Sequence, residues 1–142
     1  MENDLIDTGV LVVEDEAVVM SVIIMVLKRI GFSRIRTARD GLEAWATFRD
    51  HNRELGLIIC DWNMPRMAGI EFLQAVRKIS QIPFIILTGR GDVDAALQAK
   101  EAGVSAFIYK PSSPRQLTEK ILSLLKPKKD DKSEEQDHIK ID

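Results

Sequence analysis

A single cysteine, Cys60, occurs in 142 residues, so no internal disulfide can form. A lone thiol inside an apolar run reads as buried in a reducing compartment, the cytosol in the simplest case. An excess of one charge is lacking too: 20 Lys and Arg stand against 22 Asp and Glu, for a net charge of -2. That balance supplies no basic field for nucleic acid. Long hydrophobic runs are absent. Residues 17–27 are apolar apart from Ser21, which falls short of the roughly 20 residues of a membrane span. No basic segment precedes this stretch and no small-residue cleavage site follows it, so it reads as a helix and not as a signal peptide. No Cys/His cluster offers a zinc site, and there is no internal repeat. The length suits one well-buried core. Residues 1–8 read as a polar lead, 9–126 as one domain, and 127–142 as a charged tail that is expected to be disordered, because it cannot bury enough apolar surface to offset its ordering entropy.

What the chain does contain is an alternation. Apolar runs of strand length at 10–13, 57–60, 84–87 and 106–109 are separated by segments of helical period, which predicts parallel strands with helices on both faces. A more polar strand at 33–37, carrying Arg34 and Arg36, suits a sheet edge. The first helix follows Asp15 and ends at Gly31. Asp40-Gly41-Leu42-Glu43 starts a second by a capping-box pattern, with Leu42, Trp45 and Phe48 on one face. A third begins near Gly69 and turns Phe72, Leu73, Val76 and Ile79 to the sheet. A fourth spans about 92–102 and is mostly alanine on its apolar side, so it buries little area and is expected to be the loosest. Ser113-Pro114-Arg115-Gln116 opens the last, whose buried stripe is Leu117, Ile121, Leu124 and Leu125.

Each of the four apolar runs ends in a residue useful to a phosphoryl group or its metal: Glu14 and Asp15, then Asp61, Thr88 and Lys110. Parallel strands bring their carboxyl ends to one edge. Three carboxylates about 5 Å apart repel by roughly 3 kcal/mol per pair at an effective dielectric of 20. Such a cluster calls for a hard cation with oxygen ligands, Mg²⁺ or Mn²⁺. One carboxylate can then attack phosphorus and form an acyl phosphate. Asp61, ending the expected central strand, is the candidate nucleophile. Thr88 can donate to a phosphoryl oxygen and Lys110 supplies a cationic point charge. Singly, each has an ordinary reading: Asp15 as a helix cap, Asp61 serving a turn through Pro65, Thr88 as strand-end punctuation, Lys110 as a solvated lysine. That account must hold at four strand ends at once.

With these motifs the chain resembles the receiver domain of two-component response regulators, most closely the single-domain, chemotaxis-type (CheY-like) members, over residues 10–125. Val12-Val13-Glu14-Asp15-Glu16 is similar to the family's acidic motif, Asp61-Trp62-Asn63-Met64-Pro65 to its phosphoacceptor loop, Leu87-Thr88-Gly89 to its switch threonine, and Tyr109-Lys110-Pro111 to its lysine motif. The resemblance implies a doubly wound, flavodoxin-like α/β fold, (βα)5, with a five-stranded parallel sheet of order 2-1-3-4-5. It implies that Asp61 accepts phosphoryl from a histidine kinase or histidine phosphotransfer protein. It also implies that Asp15, Asp61 and the Asn63 carbonyl bind Mg²⁺ while Glu14 acts through a metal-bound water. Thr88 and Lys110 would hold the phosphoryl group, Tyr109 would turn inward as Thr88 moves, and the Lys110–Pro111 bond would be cis. The output would be a protein-binding surface for a downstream target, with weak self-association left open.

Three departures stand out: Glu14 where many members carry aspartate, Ala68 where an aspartate is common, and Ser112 where a bulky apolar residue is frequent. Asn63 and Arg90, two residues beyond the acceptor and the switch threonine, lie on the expected path of water and are read as setting the phosphoryl lifetime. On the first helix, a core stripe of Val19, Val22, Ile23, Val26 and Ile30 leaves Met20 and Ile24 facing outward with Met25 at the margin, an apolar patch for a docking partner. A haloacid-dehalogenase-like phosphatase would need a second aspartate where Asn63 stands. A flavodoxin-like carrier would need a Ser/Thr/Gly loop where Glu14-Asp15-Glu16 would repel phosphate. A receiver used as a phosphorylation-independent binding module stays open.

Overall fold

The computed structural model describes residues 2–89, 93–110 and 112–125, with side chains from Leu5 onward. The order of elements is α1 (Glu2–Asp7), β1 (Gly9–Val13), α2 (Ala17–Ile30), β2 (Arg34–Ala38), α3 (Gly41–His51), β3 (Leu55–Asp61), α4 (Gly69–Arg77), β4 (Phe84–Thr88), α5 (Val93–Glu101), β5 (Ala106–Tyr109) and α6 (Pro114–Leu124). All strand pairs are parallel, in the order β2-β1-β3-β4-β5. The alternation of runs predicts the parallel sheet covered by helices, and the resemblance implies the doubly wound order that is found. The strands β1, β3 and β4 lie at the centre and are apolar on both faces, as parallel strands covered by helices must be. The edge strand β2 exposes Arg34, Arg36 and Thr37.

Period-two alternation sends side chains to two layers. Val10, Val12, Leu57 and Ile59 pack against Ile23, Val26 and Leu27 of α2 and Leu117 and Ile121 of α6. Leu11, Val13, Ile58 and Cys60 face α3, α4 and α5. Cys60 is buried and free, as its apolar surroundings suggest. Helix ends follow local chemistry. Asp40 Oδ1 accepts the Glu43 N–H at 2.8 Å to cap α3, and Ser113 Oγ accepts the Gln116 N–H at 3.1 Å to cap α6. Gly31, with φ 128°, closes α2 in a backbone region that a side chain would disfavour.

Several expectations change. The polar lead contains a helix: α1 places Leu5 against the α2–α6 layer, and the Ser33 hydroxyl donates to the Ile6 carbonyl at 3.0 Å. Leu42 is 46% exposed, because α3 turns Ala44 and Phe48 inward and leaves Trp45 half-buried against Phe48. Ile79 is 64% exposed, because α4 ends at Arg77 and the helical period no longer reaches it. On α2, Met20 and Ile24 are half-buried where exposure is expected, whereas Val18, Val22 and Met25 are exposed. The cause is Leu27, fully buried, which the expected stripe omits. At 100° per residue its inclusion rotates the buried face toward Met20 and away from Val22. Arg90, Pro111 with its expected cis bond, and the tail at 127–142 lie outside the described residues.

Candidate functional site: an acidic cluster at the carboxyl edge of the sheet

Strand register assembles the site. Val13 pairs with Cys60, so Glu14 leaves β1 beside Asp61 at the end of β3. Asp61 pairs with Leu87, one residue before Thr88, and Thr88 pairs with Tyr109, one residue before Lys110. The Lys110 N–H donates to the Thr88 carbonyl at 2.7 Å, which fixes the lysine backbone to the end of β4. Residues separated by up to 96 positions therefore share one edge.

Glu14 is 1% exposed, Asp61 6% and Thr88 0%. The Lys110 ammonium lies 3.1 Å from Glu14 Oε1 and 3.3 Å from Asp61 Oδ1, with Glu16 Oε1 at 3.7 Å. A largely apolar hollow of about 240 Å³, lined by Val19, Val22, Ile23, Leu87, Ser112 and Leu117, flanks the lysine stem. Lys110 is thus inside the cluster. Glu16 is a member that the sequence pattern did not single out, although it is the third acid of its run.

Among the described residues one ammonium faces the cluster, which does not balance its carboxylates. Burial and the Asp61 charge push the Glu14 carboxyl above its ordinary range, against the pull of Lys110. Burial raises Asp61 as well, although Lys110 and the Asn63 backbone N–H both favour its ionised form. For Lys110 burial opposes the charge, but the hydrogen bond to Glu14 and the field of Asp61 and Glu14 outweigh it and raise its pKa. Carboxylate oxygens of Glu14, Asp15 and Asp61 come within 4.8 Å of one another, with Asp15 at the exposed mouth. An all-oxygen set with surplus negative charge fits a hard divalent cation such as Mg²⁺.

The other expected residues sit around this centre. Asn63 is exposed at the start of the loop after β3. Tyr109 is 47% exposed, its ring edge-on to Phe107 at 5.3 Å, so it lies on the outer surface of β5. Met20 and Ile24 are on α2 and take no part in the cluster.

A five-stranded 2-1-3-4-5 sheet with this charged carboxyl edge defines a receiver-type signalling domain. The chain belongs to the response regulator receiver domain family, whose model matches residues 10–122. It is 36% identical over 114 residues to the chemotaxis protein CheY1 of Helicobacter pylori, spanning 78% of this chain and 91% of that protein. It is 32% identical to the chemotaxis protein CheY of Pseudomonas aeruginosa, spanning 79% and 91%. Among solved structures, the chemotaxis response regulator CheY4 of Vibrio cholerae superposes with a TM-score of 0.75 at 31% identity, covering 83% of this chain and 98% of that one. The protein is therefore a CheY-like response regulator receiver. Among the described residues no helix is long and apolar enough to cross a membrane.

Proposed function

We propose that Asp61 accepts a phosphoryl group from a phosphohistidine of a histidine kinase or histidine phosphotransfer protein. A carboxylate oxygen of Asp61 attacks phosphorus, the new O–P bond forms as the P–N bond to imidazole breaks, and the imidazole leaves with the bonding pair and takes a proton from water to become neutral. The observation that carries this reading is a buried Asp61 held 3.3 Å from Lys110 with its pKa raised by burial, an arrangement that favours extra positive charge beside it. Asp15, Asp61 and the Asn63 carbonyl would hold Mg²⁺, with Mn²⁺ as a substitute and Glu14 acting through a bound water. When bound, the cation supplies charge neutralisation between the carboxylates and the phosphoryl oxygens.

In this reading Lys110 exchanges its contacts with Glu14 and Asp61 for a phosphoryl oxygen, and the Thr88 hydroxyl donates to another. Tyr109 then turns inward from the surface of β5, altering the surface offered to a downstream protein. Asn63 limits the access of water and sets the lifetime, together with Arg90. The donor docks on the outer apolar residues of α2, Val18, Val22 and Met25, with the half-buried Met20 and Ile24 at the margin of that surface.

Incubation with acetyl phosphate and Mg²⁺, followed by intact mass, tests the central step. One phosphoryl mass is expected on the wild type and none on Asp61→Asn; undiminished labelling of that variant would remove the assignment. With a phosphohistidine protein as donor, Val18→Glu combined with Met25→Lys should slow transfer while leaving the acetyl phosphate reaction unchanged, since neither residue lines the hollow beside Lys110.

A further inference from the structure

Arg66 is the only non-glycine residue with positive φ among the described residues, at 71°. An arginine gains nothing from that region, which is strained for any residue with a Cβ. The Met67 N–H donates to the Pro65 carbonyl at 2.8 Å, so Arg66 is the central residue of a tight three-residue turn in the loop after Asp61. Its side chain reaches across to the junction of β2 and α3, where Nε and Nη2 donate to Asp40 Oδ2 at 3.2 and 2.5 Å. Asp40 has its other oxygen on the Glu43 N–H, so both carboxylate oxygens are engaged and its orientation is fixed.

Two further contacts seat the same loop. A Cβ on Gly41, the residue after Asp40, would overlap the Met67 carbonyl oxygen, so the loop rests directly on the first turn of α3. The Gly69 N–H donates to the Trp62 carbonyl at 2.9 Å and closes the loop back onto the acceptor strand. Between these points lies Asn63, whose N–H already donates to the Asp61 carboxylate. The β2–α3 junction is also tied to the acidic motif, because the Glu14 N–H donates to the Ala38 carbonyl at 3.0 Å.

We infer that the Arg66–Asp40 pair is a positioning element, a two-point latch that holds the acceptor loop in its strained turn so that the Asn63 backbone faces Asp61 and a divalent cation. The inference rests on the proposed phosphoacceptor reading and assigns to Arg66 and Asp40 a role that the strand-end pattern would not suggest. Both residues act through the loop and neither touches the reacting atoms.

The test uses the full chain and measures three quantities: the Mg²⁺ dissociation constant by calorimetry, the rate of phosphoryl gain from acetyl phosphate by intact mass, and the melting temperature without metal. Asp40→Asn keeps a good helix cap but loses the ion pair. Arg66→Gln loses the pair and keeps the strain, and Arg66→Gly loses the pair but tolerates the turn. Each is expected to weaken Mg²⁺ binding about tenfold, the size typical of lost outer-shell support. Asp40→Asn with Arg66→Gln should be no worse than either alone, since both remove one interaction. Arg66→Gly is expected to melt no lower than Arg66→Gln while still binding Mg²⁺ weakly, a split that a merely structural role would not give. Wild-type protein that binds Mg²⁺ and is phosphorylated alongside variants that match it, or variants whose effects add, would overturn the latch. Wild-type protein that does neither would instead overturn the phosphoacceptor reading on which the latch rests.

Discussion

Helices α4 and α5 are both nine residues long and pack on the same face of the sheet, yet they are held very differently. The first buries Phe72, Leu73 and Val76 completely, each worth about 1.5–3 kcal/mol of transfer free energy. The second buries only Ala95 and Ala99, about 0.8 kcal/mol per methyl-sized group, and leaves Val93 and Leu97 exposed. One follows β3 and the loop after Asp61. The other follows Thr88. The difference implies a division of labour: a firmly anchored side that holds mutually repelling carboxylates in place, and a lightly anchored side that a small change at Thr88 can move.

The comparison is broken most easily in α4. Phe72→Ala should cost about 3–5 kcal/mol in chemical denaturation, the usual range for emptying a fully buried aromatic site. In α5, Ala99→Gly should cost about 1 kcal/mol from helix propensity, with little added from packing. Equal losses in the two helices would erase the asymmetry.

Electrostatics sharpen it further. The folded-state pKa values of Glu14 and Asp61 lie above their ordinary 4.5 and 3.8, with burial the first cause in each case. The folded protein therefore binds more protons than the unfolded chain in that window. The stability these groups contribute is fully present below the ordinary values and is lost as pH rises through the raised ones. Asp61→Asn lacks its share of that loss, so without divalent cation it should melt higher than the wild type at pH 7. The gap should close on acidification toward pH 3.8 and shrink when Mg²⁺ is added. A variant that melts lower at pH 7 would mean that Asp61 is a net structural support. The smallest effect is expected at Leu97→Ala, within about 0.5 kcal/mol, because an exposed side chain on a lightly packed helix removes little from the core.

The site was legible in the sequence because a parallel strand buried on both faces is a continuous apolar run, and its end is sharp. Glu14, Asp61, Thr88 and Lys110 each mark such an end, and the register then places them on one edge. The alanine side of α5 was legible for the same reason, since small side chains cannot bury large areas. Boundary positions on helices were not. Met20, Ile24 and Val22 lie near the margin of the α2 stripe, where one further buried residue, Leu27, decides which are covered. Ile79 depended on where α4 stops. Six residues of α1 are too few to show a period. The Arg66–Asp40 pair was invisible because it joins two loops 26 residues apart, and neither pattern nor propensity encodes such a meeting.

Amide hydrogen exchange of the wild type and Asp61→Asn, each with and without beryllofluoride and Mg²⁺, addresses the acceptor and the asymmetry together. Exchange in the wild type should change across 93–101 and around Tyr109, while 69–77 stays as it was, and the Asp61→Asn protein should show neither response. An equal change in α4, or a response in α5 that persists without the Asp61 carboxylate, would contradict the account.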